Sequence, residues 1–239
     1  MDNGHDMHTR SGSAPQQAER SERPPTVRHG YRFCRFCCQW FCTLYLKTRA
    51  YGTRHVPTHG GVLLVANHQS FMDPVLATMA LPREADFMAR DSLFSQPAFR
   101  KLIVYLNAFP VRRQTADLNA IKEALRRLKQ GRLLVVFPEG TRTEDGRIQP
   151  FLPGLGAIAR KARVPIVPTL IDGMHAAWPR DRALPSPGNI VIEYDRPITP
   201  EAYADLSVEE LMETIRGRLI ALQRKWHDRL PERRLNDER

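Results

Sequence analysis

A base and a carboxylate stand with four residues between them in Asn67-His68-Gln69-Ser70-Phe71-Met72-Asp73. At neutral pH an imidazole takes a proton from a hydroxyl when a neighbouring carboxylate holds its other nitrogen in the right tautomer and stabilises the imidazolium that forms. The spacing lets the chain turn and return Asp73 to His68, so the segment reads as a dyad for general-base catalysis. Asp73-Pro74 is equally what a helix start requires, the carboxylate accepting from unpaired amides and the proline preset for the first turn. A second polar run, Phe137-Pro138-Glu139-Gly140-Thr141-Arg142, follows the apolar Leu133–Phe137 stretch, which is itself preceded by the helix-stopping Gly131. Arg142 offers a forked, permanent cation suited to phosphate. The plainer reading of this run is a tight turn closed by a Glu139–Arg142 ion pair.

Both runs need elements that deliver them to one place. Val62–Ala66 and Leu133–Phe137 are continuous apolar stretches of the kind found in strands covered on both faces. In α/β folds the loops leaving such strands line the crevice where ligands sit. Phe109-Pro110-Val111-Arg112-Arg113 ends another apolar stretch in paired cations, and Val164-Pro165-Ile166-Val167-Pro168 reads as a short buried strand with proline at each margin.

These four blocks, in this order and at these separations, resemble the glycerophospholipid acyltransferase family that includes 1-acylglycerol-3-phosphate acyltransferase. The likeness runs from about Tyr51 to Asp172. It implies an α/β fold with a mixed, largely parallel sheet flanked by helices, and catalysis by His68 and Asp73. It also implies binding of the acceptor's glycerol phosphate by Arg113, Glu139, Gly140, Thr141 and Arg142, and places the Val164–Pro168 block near the acyl chain. The reaction implied is transfer of a fatty acyl group from acyl-CoA or acyl carrier protein to lysophosphatidic acid, giving phosphatidic acid. The donor is a co-substrate, with no cofactor and no metal. Another lysolipid, such as a lyso-ornithine lipid or lysophospholipid, is the alternative acceptor, and a non-catalytic lipid-binding module is the third reading. Arg90 stands where many members carry lysine, Arg100 and Asn107 where glycine is usual, and Leu152 where lysine commonly follows the phenylalanine.

A chain of 239 residues suits one substantial core. Lys plus Arg number 36 against 26 Asp plus Glu. Between Arg90 and Arg132 there are ten cations and three acids, a surplus suited to an anionic bilayer, a phosphorylated substrate, coenzyme A or acyl carrier protein. Part of it is the solvated outer face, Lys122, Arg126, Arg127 and Lys129, of a helix whose apolar stripe is Ile121, Ala124, Leu125 and Leu128. Nucleic acid is not an expected partner, because no binding motif appears and aromatic residues do not alternate with the basic ones.

All four cysteines fall within Cys34–Cys42 at helical spacing, among Phe33, Phe36, Trp40, Phe41 and Leu44, with Arg32, Arg35 and Gln39 forming a narrow polar strip. On one continuous helix they cannot converge on zinc, so they read as free, small apolar residues with reversible palmitoylation as a minor role. The absence of a scattered cysteine framework suits a reducing cytoplasm. The uncharged stretch Phe36–Leu46 is far shorter than the roughly 20 residues a membrane span needs. An amphipathic helix at the membrane interface over 31–50 is expected instead, giving a peripheral or monotopic protein on the cytoplasmic face. Residues 1–30 read as disordered, 51–230 as the acyltransferase domain and 231–239 as a flexible tail. Asn189–Tyr194 alternates as a strand, and Ser207-Val208-Glu209-Glu210 opens a helix with a capping box.

Overall fold

The structure, a computed structural model, describes residues 27–112, 117–152 and 154–230. Arg113, the tail 231–239 and most of the N-terminal segment lie outside the described residues. Seven strands form one sheet in the order β1-β7-β6-β2-β5-β3-β4. They are β1 Arg49–Tyr51, β2 Val62–Ala66, β3 Ala85–Arg90, β4 Ala108–Val111, β5 Leu133–Val136, β6 Ile166–Asp172 and β7 Val191–Tyr194. Five of them, β2 to β6, run parallel; β7 is antiparallel to β6, and β1 runs with β7. The largely parallel sheet read from the sequence is therefore present, and its geometry brings the C-terminal ends of β2 and β5 to one edge.

Every residue of β2 is buried. Val62, Leu64 and Ala66 face one core cluster and Leu63 and Val65 the other. Alternation puts successive side chains on opposite faces, so an unbroken apolar run is what a strand covered on both sides requires. One face is covered by α1 His29–Leu44, α2 Asp73–Met79 and α6 Met174–Ala177. The other carries α4 Leu118–Lys129, α5 Gly154–Ala162 and α7 Val208–Arg229. The capping box of α7 is formed in both directions, with Ser207 accepting from Glu210 N and Glu210 accepting from Ser207 N. The α4 stripe packs as expected, with Ala124 and Leu128 buried and Ile121 and Leu125 against the core. Gly131 follows α4 at φ +76°, a conformation open to glycine without strain.

The structure departs from the sequence reading at three places. Pro168 lies inside β6 rather than at its margin. Ile166 pairs with Ile198 and Thr169 with Tyr194, so three residues of the returning chain oppose two of β6. The proline sits in that bulge, where its missing N–H costs no ladder bond, and its carbonyl accepts from Asp195 N at 2.9 Å. Arg127, expected on a solvated helix face, instead pairs with Glu123 at 2.6 Å and with the buried Asp86 at 3.3 Å. Arg132 joins it on Asp86 at 2.8 Å, so part of the cation surplus is neutralised within the fold.

The third departure concerns α1, which spans His29–Leu44 rather than 31–50, since the chain leaves the helix and enters β1 at Arg49. Two residues of the helix's polar strip turn inward while Arg32 stays exposed: Arg35 Nη1 donates to Leu81 O at 2.7 Å and Gln39 Nε2 to Met79 O at 2.6 Å. Those carbonyls close the end of α2, where a helix leaves acceptors without partners. Phe33, Phe36, Trp40 and Leu44 are consequently left exposed. Among the described residues, no helix is long and apolar enough to cross a membrane.

Candidate active site

Asn67 extends the β2–β6 ladder with its side chain. Its Nδ2 donates to Ile171 O at 2.9 Å and its Oδ1 accepts from Ile171 N at 2.8 Å, which fixes the strand end from which His68 emerges. His68 is then held from both sides by its own backbone. Its N–H donates to Glu139 Oε1 at 2.9 Å, and its carbonyl accepts from Thr143 N at 2.8 Å. The imidazole stacks on Phe137 with ring centroids 4.4 Å apart. With backbone and ring both fixed, Nδ1 lies 2.8 Å from Asp73 Oδ2.

Asp73 is fully buried, while 14 % of the His68 side chain stays exposed. The pair therefore opens to solvent only through the imidazole. A proton on Nδ1 directed at the carboxylate leaves Nε2 as the acceptor facing outward, and no hydrogen bond to Nε2 forms among the described residues. Asp73 Oδ2 also accepts from Gln69 N at 2.5 Å and Ser70 N at 2.6 Å. Dyad and helix start are thus the same structure: one oxygen orients the ring and ties down the turn that leads into α2. Those two amides are spent on the carboxylate, so they are not donors for a developing oxyanion, a role the helix start would otherwise suggest.

Nothing in the sequence pattern marks Gln69, yet it fastens the loop to two distant segments. Its Nε2 donates to Gly146 O at 3.1 Å, and its Oε1 accepts from Met174 N and His175 N at 3.0 and 3.2 Å. Gln223 of α7 donates to the same Gly146 carbonyl at 2.9 Å. The catalytic loop, the segment after β5 and the long C-terminal helix are joined at that oxygen.

The loop after β5 divides into a buried and an open part. Glu139 is buried, with Oε1 on His68 N and Oε2 accepting from Gln149 N at 3.2 Å, so it forms no ion pair with Arg142. Burial pushes its carboxyl up to about 7 against the opposing effect of those two amides, with the nearby Asp73 charge adding to the rise. Its place is behind the histidine, bracing it, rather than in the open where an acceptor phosphate would bind. Gly140 has φ +69°, and a side chain there would run into Leu152. Thr141 is exposed and Arg142 half-buried, and neither has a hydrogen-bond or ionic partner among the described residues. Arg142 immediately precedes Thr143, whose amide binds His68 O, so it leaves the chain beside the dyad loop. Of the expected acceptor contacts the structure thus brings Gly140, Thr141 and Arg142 to the dyad edge. Arg113 lies outside the described residues, while Arg112, at the end of β4, is exposed.

The Val164–Pro168 block lies beside the strand that leads into His68. Ile166–Pro168 pair with Leu63–Val65 within the sheet. The apolar surface that touches the dyad loop is an open groove of about 600 Å³ between α1 and the segment after α6, lined by Cys37, Cys38, Phe41, Met72, Trp178 and Leu184. Asn107 takes φ +67°, a conformation asparagine tolerates, and anchors it by donating to Glu84 Oε2 at 3.0 Å.

A carboxylate-oriented imidazole at the edge of an α/β sheet, with an open guanidinium beside it, is suited to activating a hydroxyl on an anionic substrate. The acyltransferase family model matches residues 47–172. The chain belongs to that family. It is 31% identical over 173 residues to the 1-acyl-sn-glycerol-3-phosphate acyltransferase of Cocos nucifera, covering 71% of this chain and 54% of that protein. Against the enzyme of the same name from Bacillus subtilis (strain 168) it is 25% identical over 203 residues, 84% of this chain and 96% of the relative. The chain thus spans about half of the plant relative and nearly all of the bacterial one. The crystal structure of the 1-acyl-sn-glycerophosphate (LPA) acyltransferase PlsC from Thermotoga maritima superposes with a TM-score of 0.67 at 28% identity, covering 79% of this chain and 77% of that one. The acyltransferase fold expected from the motif order is the fold observed.

Proposed function

We propose that this acyltransferase moves a fatty acyl group from a thioester, acyl-CoA or acyl carrier protein, to the free hydroxyl of lysophosphatidic acid, giving phosphatidic acid. The observation that carries the reading is the 2.8 Å contact between His68 Nδ1 and Asp73 Oδ2 beneath an outward-facing Nε2. The relatives, known as 1-acyl-sn-glycerol-3-phosphate acyltransferases, support this acceptor. His68 Nε2 accepts the hydroxyl proton as the oxygen attacks the thioester carbonyl carbon, and Asp73 stabilises the imidazolium. Collapse of the tetrahedral intermediate breaks the carbon–sulfur bond, and the imidazolium returns the proton to the departing thiolate. No enzyme nucleophile, metal or organic cofactor takes part.

Arg142, with Arg113, holds the acceptor phosphate so that its hydroxyl lies roughly 3 to 3.5 Å from the carbonyl carbon. The groove between α1 and Trp178 receives an acyl chain, since it is apolar and includes Met72 of the dyad loop. The outward aromatic face of α1 seats the protein on the cytoplasmic face of a membrane, where the lysolipid acceptor resides.

The test is to incubate the purified protein with one labelled acyl thioester and a panel of lysolipids and to identify the product by mass. Phosphatidate formed in preference to all others is the expected result. A zwitterionic or ornithine-based product in preference would move the acceptor assignment to another lysolipid. Absence of any product, with vesicle binding intact, would make the chain a lipid-binding module.

A further inference from the structure

α3, Pro97–Tyr105, is a nine-residue helix none of whose residues is buried. Its sequence is nonetheless largely apolar, and Leu102, Val104 and Tyr105 are between 41 and 50 % exposed. A short helix with such composition and no core to cover it presents an apolar surface that calls for a partner. Its position in the fold indicates which partner.

The end of α3 is tied to the start of α1. Arg28 Nη2 donates to Tyr105 O at 2.7 Å, the Arg28 guanidinium lies 4.8 Å above the Tyr105 ring, and the same residue pairs with Glu84 at 3.0 Å. The other end approaches the dyad loop, where Phe71 is half exposed and its ring centroid is 6.4 Å from that of Phe99. Phe71 also lies 6.3 Å from Trp178, which lines the groove beside α1. α1, Phe71 and α3 therefore form a connected apolar surface around the segment that carries His68.

We infer that α3 and Phe71 belong, together with α1, to one docking face for an anionic bilayer. This rests on the membrane reading given for α1 and extends it to a second helix and to the catalytic loop. Charge selects the partner. From His29 to Tyr51 there are exposed cations at Arg32, Lys47 and Arg49, with Arg35 turned to Leu81 O, and no Asp or Glu; from Phe87 to Arg112 there are four cations and a single acid, Asp91. Arg100 and Lys101 of α3 are exposed and make no ion pair among the described residues. Aromatic and aliphatic side chains with cations around them are what the headgroup and upper acyl region accommodate. Docking through both helices turns the dyad loop toward the bilayer, so an amphiphilic acceptor reaches His68 without leaving the membrane.

The experiment measures partition of the full chain onto phosphatidylcholine vesicles with and without phosphatidylglycerol, by sedimentation. Leu102→Ser, Lys101→Ala and Trp40→Ser are compared with Lys161→Ala, an equal loss of charge on α5 at the opposite sheet edge. Lys101→Ala is expected to lower the partition coefficient on anionic vesicles about fivefold, the equivalent of one basic residue at a membrane surface. Leu102→Ser should lower it on both vesicle types, and Lys161→Ala should leave it unchanged. Loss of binding in Trp40→Ser alone, with both α3 variants binding as wild type, overturns the inference while leaving α1 as a membrane anchor. That is also the result expected if α3 instead served an acidic soluble protein. Wild-type protein that binds neither vesicle type overturns the membrane reading of α1 as well.

Discussion

Between β2 and α2 the buried side chains of Asn67, Gln69 and Asp73 are each bonded to backbone groups, whereas after β5 Thr141 and Arg142 come to the surface with no partner among the described residues. The two segments meet at one sheet edge and are joined by the Thr143 N–His68 O bond. Proton transfer requires the imidazole to stay within tenths of an ångström of its place, and a loop fixed by distant partners supplies that. Recognition of a mobile, hydrated headgroup requires donors not already spent on the protein. One loop is built for geometry, the other for availability.

Asp73→Asn should have the largest effect on this contrast. It removes the charge that stabilises imidazolium, and a decrease in kcat of about 10²–10⁴-fold is expected. The melting temperature should fall too, because the same oxygen secures Gln69 N and Ser70 N; activity lost with the melting curve unchanged would mean the turn holds without the carboxylate. Arg142→Ala should behave differently, with kcat/KM for lysophosphatidate reduced about 10–100-fold, as befits a charged hydrogen bond of about 1.5–3 kcal/mol. Most of that loss should appear in KM, and the fold should melt as before. A large kcat defect in Arg142→Ala would erase the distinction between the loops.

Glu139→Gln addresses the buried half of the second loop. The folded carboxyl titrates near 7, above its ordinary 4.5, so the native state holds more protons than the unfolded chain between those values. Stability should therefore decline as pH rises from about 4.5 to about 7, and the glutamine variant should lose that decline. Melting curves across that range read it directly, and parallel profiles for the two proteins would show that the carboxylate is not buried as described. Gln223→Ala should have the smallest effect, about 1 kcal/mol of stability, since Gly146 O keeps its bond from Gln69.

Much of this was legible in the sequence where the signal is local. Val62–Ala66 is a strand with the limits its apolar run predicts, and Ser207–Glu210 starts α7 as a capping box should. The His68–Asp73 contact follows from short spacing. Side-chain bonds between remote segments were not legible: Asn67 meets Ile171 across 104 residues, and Gln69 meets Gly146 across 77. Periodicity revealed that α1 is amphipathic, but its docking is decided by carbonyls at the end of α2, which draw Arg35 and Gln39 inward. Glu139 was similarly ambiguous, because a carboxylate after a strand looks the same in sequence whether it faces substrate or braces a neighbouring backbone.

The most direct measurement is single-turnover acyl transfer from a labelled thioester to lysophosphatidate by wild type and His68→Ala, with vesicle binding and melting followed in parallel. Loss of transfer by about 10²–10⁴-fold, with binding and stability retained, is the outcome expected of a general base. A His68→Ala protein that transfers the acyl group at the wild-type rate would contradict it.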